Sequence, residues 1–151
     1  LPIWIIPSPV SGSPIAACDS RVMNIKAAIG LPETGLGIIP GWGGTVRLPR
    51  LIGFTTAAQW ISSWVQQSAQ SALQAGAVDQ LIEADSVRDA ALSLLVSHAN
   101  GEVDFEERRI SKRSAVNVSS AEIAETADKL QSAILGRSGN KYPAPLKVIG
   151  Y

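Results

Sequence analysis

Ile29-Gly-Leu-Pro-Glu33-Thr-Gly-Leu-Gly-Ile-Ile-Pro-Gly41-Trp-Gly-Gly-Thr45-Val-Arg-Leu-Pro-Arg50 is the stretch whose reading decides the fold. It sets one acid, Glu33, among closely spaced glycines and three prolines. Each glycine frees backbone torsion and lets a chain or ligand come close, while each proline fixes φ and removes a donor. The order is strand, acid, glycine-proline loop over residues 30–41, then a helix starting at Gly43–Thr45 and running to about Ile52 despite Pro49. Such a stretch shapes a pocket that sets Glu33 and a bare backbone N–H against a small molecule. Leu36 and Ile38–Ile39 are expected to supply apolar contact there, which would raise the proton affinity of the carboxylate.

Upstream, Arg21–Met23 and Ala27–Ile29 read as short buried strands around a turn at Asn24-Ile-Lys26. Trp4-Ile-Ile6 reads as a further short strand. Pro14–Ser20 is expected to be a short helix, with Ser13 as N-cap and proline at its first position. Downstream, Thr55–Val65 is a helix capped by Thr55 or Thr56, with Ala58, Ile61 and Val65 on one face. Trp60 and Trp64 share a neighbouring face, for burial or a subunit contact. Ser68–Gln74 is a short helix closed by Gly76, Val78–Ile82 a strand, and Ser86–His98 an amphipathic helix. The polar run Glu106–Arg113 reads as a solvated linker or extension, with a solvated face. Ser119 or Ser120 caps a helix over about residues 121–135, with Ile123, Ala127, Leu130 and Ile134 on its apolar face. Leu146–Tyr151 reads as a further helix start. The boundary between a main domain and a C-terminal helical extension is placed between residues 104 and 105.

The 151 residues fit one domain able to bury a real core. Hydrophobic residues make up 46% and charged residues 17%, a globular rather than disordered balance. Thirteen basic and thirteen acidic residues cancel, so no global field recruits nucleic acid or an anionic membrane. The apolar start, Leu1–Val10, is broken by prolines and too short to span a membrane. Cys18 is the single cysteine, which suits a reducing, cytoplasmic setting and excludes an internal disulfide. It reads as a small core residue rather than a nucleophile. His98 is the single histidine, so a histidine metal site or a Ser-His-Asp triad has little material. It is most simply a dipole contact at a helix C-terminus. Asp79 reads as a turn or strand-end residue rather than a second acid. The Gly43-Gly44 helix start suits either an anionic or thioester oxygen or tight packing.

Ala28-Ile-Gly-Leu-Pro-Glu33 followed by Gly37-Ile-Ile-Pro-Gly41-Trp-Gly-Gly-Thr45 and Arg47-Leu-Pro-Arg50 resembles the enoyl-CoA hydratase/isomerase (crotonase) family. Arg21-Val-Met23 and Ala72–Asp79 fall in the family's order. Asn100–Asp104 and Gly139–Pro145 are similar to the hydratase domain and its junction in the multifunctional fatty-acid oxidation α subunit. The resemblance implies an α/β fold, a crotonase-like ββα spiral present in its C-terminal portion and helix-rich at the C-terminus. It also implies an oligomer, a trimer by resemblance, and an acyl-CoA thioester as partner, with coenzyme A entering as part of the substrate and no separate cofactor. The chain begins without methionine and is read as a fragment.

Hydration of an α,β-unsaturated thioester needs water at Cβ, a proton at Cα and donors for a developing enolate oxygen. By resemblance, Glu33 matches the family glutamate on the Pro-Glu turn and is the catalytic acid. Gly41 matches the glycine whose N–H positions the water, and Pro32, Leu36 and Pro40 line the substrate with it. The first family glutamate falls at Ser13, a hydroxyl that is no general base at neutral pH. Pro9-Val-Ser11 replaces the glycine triplet that precedes it. One lost oxyanion donor costs about 10²–10³ in rate. The expected protein is therefore an enoyl-CoA hydratase/isomerase of fatty-acid β-oxidation with impaired chemistry. The alternatives are a non-catalytic remnant that oligomerises or binds acyl-CoA, and an isomerase that works with Glu33 alone.

Overall fold

A computed structural model describes residues 3–6, 10–11, 16–83 and 86–150. Among these residues two small sheets and seven α-helices build an α/β architecture, as the sequence predicts. In the first sheet β1 (Ile3–Ile6), β3 (Ser20–Asn24) and β6 (Gln80–Ile82) run parallel with β3 central. Val22 faces Ile5 on one side and Gln80 on the other. In the second, β2 (Val10–Ser11) pairs parallel with β4 (Ala28–Gly30), which pairs antiparallel with β5 (Gln67–Ser68). Every residue of β3 is buried, the mark of a strand covered on both faces.

The expected helix over Pro14–Ser20 is corrected where the structure describes it. Residues 16–19 are turn and bend, and Ser20 already opens β3. Ser13 and Pro9 lie outside the described residues, as does Pro14. The turn is fixed from its far side, because the buried Arg21 donates to the Cys18 carbonyl at 2.9 Å.

Helix α1 (Gly44–Ile52) starts at Gly43, whose φ of 76° suits glycine, and it carries Pro49 within its length. Gly53 separates it from α2 (Phe54–Ser63), so glycine rather than either threonine precedes that helix. Ala57, Trp60 and Ile61 are buried along α2. Trp64 then turns out of the helix at a left-handed φ of 51°, which removes it from the face of Trp60. That region costs a residue with a Cβ about 1–2 kcal/mol, which its ring contacts must offset.

Ser68 caps α3 (Ala69–Gln74) by accepting from the Ser71 N–H at 3.1 Å. Helix α4 (Val87–Ala99) buries Ala90, Ala91 and His98. The run over Glu106–Arg113 is not a free linker. It is α5 (Phe105–Arg113), capped by Asp104, with Glu106 and Glu107 in its first turn and Lys112 and Arg113 in its last. That order matches the helix dipole at both ends. Ser119 caps α6 (Ser120–Ser138), where Thr126 and Ile134 are buried while Ile123 is exposed. Pro143 opens α7 (Pro143–Ile149).

The main core joins β3 and β4 to α1, α2 and α3 through Met23, Ile29, Leu31, Leu48, Ala57, Trp60, Ala72 and Val78. A satellite of Val22, Ile82 and Ala90 seats α4. Leu48 and Ile61 thus tie the two helices that follow the loop to the sheet beneath it. No helix among the described residues is long and apolar enough to cross a membrane.

Candidate active site

The acid of the loop sits on a short 3₁₀ helix, Pro32–Leu36, which the sequence reading leaves as plain loop. Proline at its start presets φ for a tight turn. Its C-cap Gly37 is left-handed at φ 83° and donates to the Thr34 carbonyl at 3.2 Å. The Ile38 N–H reaches the Glu33 carbonyl at 3.1 Å, so the turn is closed on itself.

Two neighbours hold it against α2. Thr34, fully buried, donates its hydroxyl to the Ile61 carbonyl at 2.6 Å. Gly35 lies so close to Trp64 that a Cβ there would fall 2.8 Å from the indole. Trp64 in turn stacks on Tyr142 at 5.9 Å, with the Arg137 guanidinium 4.7 Å over its ring. Glu33 is therefore presented, half-buried, from a turn whose backbone is pinned on both sides of it. Thr34→Val keeps the shape and strips the donor from Ile61. It is expected to cost about 1–3 kcal/mol in urea unfolding, because a buried carbonyl loses its partner.

Leu36, Ile38 and Ile39 do not close over the acid as expected. Leu36 is 75% exposed, Ile38 57% and Ile39 44%, so they form an open apolar rim. Pro32 is half-buried beside Glu33, and Pro40 is buried at the far end of the loop. Gly41 is exposed; its carbonyl accepts from Gly44, and among the described residues its N–H donates none of the loop's backbone hydrogen bonds. A Cβ at Gly41 would meet nothing within 4 Å, which leaves the amide open to an approaching group. Gly43 is tighter, because the Arg47 guanidinium lies over it and donates to the Trp42 carbonyl. The helix start at Gly43-Gly44 is thus filled by a side chain of its own helix. That favours the packing reading.

A second polar cluster lies where α5 meets β3. Asp19 accepts from Arg109 at 2.9 Å and from Lys112 at 2.8 Å. Asp79 accepts from Arg108 at 2.8 Å and from the Arg21 N–H at 2.7 Å. Burial alone pushes the Asp19 carboxyl up, but hydrogen bonds from Arg109 and Lys112 outweigh it and hold the group below its ordinary range. Burial also pulls the Arg21 guanidinium below its ordinary value, with Asp79 opposing. Asp79 opens no second acid site; it ends the segment before β6 and is occupied by these cations.

His98 lies in the last turn of α4, where the sequence places it at a helix end, and it is more than a dipole contact. Its ring is buried, with Nε2 2.6 Å from the Ser20 hydroxyl and Phe105 alongside. Cys18 is buried, and desolvation pushes its thiol up against the pull of Arg21 and Lys112. Alkylation by iodoacetamide at neutral pH is expected to run at least about tenfold slower in the native protein than in urea.

Sequence reasoning missed Thr34 and Tyr142, the contact of Trp64 with the turn, and the part of Asp19 and Asp79 as acceptors. The spacing of Arg108, Arg109 and Lys112, which puts one edge of a helix in cations, was a usable signal for the last two. Nothing local announces that the α2 carbonyl needed by Thr34 lies 27 residues on.

A sequence profile described as Enoyl-CoA hydratase/isomerase matches residues 12–132. The fatty acid oxidation complex subunit alpha of Colwellia psychrerythraea is 41% identical over 133 residues, which is 88% of this chain and 18% of that protein. Its namesake in Idiomarina loihiensis is 40% identical over 135 residues, 89% of this chain and 19% of that one. The chain thus spans about a fifth of the length of these curated relatives. Among solved structures, enoyl-CoA hydratase from Bacillus anthracis aligns with a TM-score of 0.57 at 27% identity, over 89% of this chain and 54% of that one. An enoyl-CoA hydratase from Geobacillus kaustophilus aligns with a TM-score of 0.57 at 27% identity, over 98% and 50%.

Proposed function

The chain belongs to the enoyl-CoA hydratase/isomerase family, and from that premise we propose that its Pro32–Gly41 turn is the acid-bearing part of an acyl-CoA hydratase site. The observation that carries the reading is the pinned presentation of Glu33. Thr34 and Gly35 fix the turn against Ile61 and Trp64, while Glu33 remains half-buried beside an open loop. Preorganisation of this kind is what a positioned proton carrier requires.

In the proposed reaction Glu33 takes a proton from a water held near the Gly41 N–H. The water oxygen bonds to Cβ of the 2-enoyl thioester, and the π pair moves to Cα with charge developing on the thioester oxygen. The same carboxyl then returns its proton to Cα, which closes the balance. Pro32, Leu36 and Pro40 flank the acyl group. No metal or separate cofactor takes part, and coenzyme A arrives with the substrate. Isomerisation of a 3-enoyl thioester is the related possibility, with Glu33 removing the proton at C2 and delivering it to C4. A cytoplasmic protein in fatty-acid β-oxidation fits this reading. Purified chain assayed on crotonyl-CoA tests it by loss of enoyl absorbance; no hydration above the rate in buffer would remove the activity from this chain.

One observation favours a second reading, a non-catalytic module that assembles or binds acyl-CoA. Leu36, Ile38, Ile39, Trp42 and Val46 are all exposed on the loop and the first turn of α1, with Trp42 at 89%. Apolar exposure of that extent on neighbouring residues marks an interaction surface. A trimer or other homo-oligomer would cover it. Light scattering on the purified chain decides, since a stable monomer that turns over crotonyl-CoA excludes the module.

A further inference from the structure

We infer that the concavity shared by the Glu33 turn, the end of α2 and the segment joining α6 to α7 binds a nucleoside diphosphate, apart from the thioester. The inference stands on other residues than the Gly41 loop and does not depend on the thioester reading. The concavity has a volume of about 690 Å³, within the range that holds a small ligand. Gly35, Trp64, Arg137, Ser138, Lys141 and Tyr142 line it. Two cations and two aromatic rings thus face one space, and among the described residues no carboxylate lines it.

The cations have no internal partner. Arg21, Arg108, Arg109, Lys112 and Lys129 each meet a carboxylate, whereas among the described residues Arg137 and Lys141 form no ion pair. Arg137 lies instead 4.7 Å over the Trp64 indole, which sets its place and leaves its N–H fork for a ligand. Such a fork takes phosphate oxygens two at a time, and Lys141 adds a point charge. Between them Gly139, at a left-handed φ of 56°, turns the chain out of α6 so that both cations reach the same space. The rings are equally placed for a ligand. Trp64 holds its indole there from a left-handed φ of 51°, an outlier of the kind found at ligand clamps. Its contact with Gly35 stops it from withdrawing toward the turn. Tyr142 stacks on it and keeps 43% exposure, so ring surface is left for a base to extend the stack. An acidic peptide would use the cations and leave the rings idle. A nucleoside diphosphate uses both.

Isothermal titration of the full chain with ADP, adenosine, pyrophosphate and a short polyglutamate peptide tests this. ADP is expected to bind at least about tenfold tighter than adenosine or pyrophosphate, each of which makes only part of the contacts. Arg137→Gln should weaken ADP by at least about tenfold and Tyr142→Leu by at least about fivefold, with thermal melts showing that each variant folds. Lys141→Gln alters an exposed side chain and should weaken ADP by at least about threefold even where the other two variants fail to fold. Absence of ADP binding overturns the inference, as does adenosine or the peptide binding as well as ADP. Unchanged ADP affinity in all three variants overturns it too. Displacement of ADP by crotonyl-CoA would give the space to the substrate and overturn the separate site, while leaving the thioester reading standing.

Discussion

Replacing Glu33 by Gln is expected to cut crotonyl-CoA hydration by about 10²–10⁴-fold relative to the unaltered chain, the usual contribution of a positioned proton carrier. The loss should appear in kcat and leave KM within a few fold, because the amide fills the same space beside Pro32 but carries no proton at the right affinity. Folding should be unaffected to within about 1 kcal/mol. The turn that carries the residue is secured by the Thr34 hydroxyl, the Gly37 cap and the contact of Gly35 with Trp64, none of which involves the carboxylate charge. Steady-state kinetics paired with a thermal melt separates the two effects. Unchanged kcat would show that Glu33 is a turn acid. A fall in kcat with a matching fall in melting temperature would show only that the turn needs it.

The loop was legible because its information is local. A proline at the start of a turn, glycines at left-handed positions and a helix starting after Gly43 are all written in neighbouring residues, and the structure places each of them so. Strands β3 and β4 were legible for the same reason, as short apolar runs bounded by a turn. The misreadings share a different cause. Leu36, Ile38 and Ile39 look like cover for an acid in one dimension, but which way an apolar loop side chain faces depends on what the rest of the fold puts beside it. Among the described residues all three stay exposed. Trp64 sits one turn from Trp60 in sequence, yet the helix ends at Ser63, and a left-handed residue sends the ring to Tyr142, 78 residues away. The polar run of α5 reads as solvated, and none of its residues is buried, but its cations also reach back to the sheet. Its acceptors, Asp19 and Asp79, are 90 and 29 residues upstream of Arg109 and Arg108.

Those acceptors set the other large effect. Asp19→Ala is expected to lower the free energy of unfolding at neutral pH by about 2–3 kcal/mol and to release α5 from β3. The carboxylate side chain is only 4% exposed, and it is the shared acceptor of Arg109 and Lys112. Removing one partner of a fully buried pair costs about 3–5 kcal/mol. Here the cations stand at 36% and 18% exposure, so water repays part of the loss and the lower figure applies. The remaining contacts cannot replace it, because the Lys112 ammonium would keep only the Ala17 and Cys18 carbonyls. The pH dependence follows in sign. The folded Asp19 carboxyl lies below its ordinary value, so its contribution is complete above the unfolded value of about 3.9 and is lost as pH falls through the folded one. Urea unfolding of the two proteins at pH 7, 5, 4 and 3 should therefore show a constant gap down to about pH 5 that narrows below pH 4. Asp19→Asn, which keeps the volume and loses the charge, should fall between them. A gap that stays the same at pH 3 would assign the loss to packing around Asp19 rather than to its charge, and α5 would then be held by something other than this clasp.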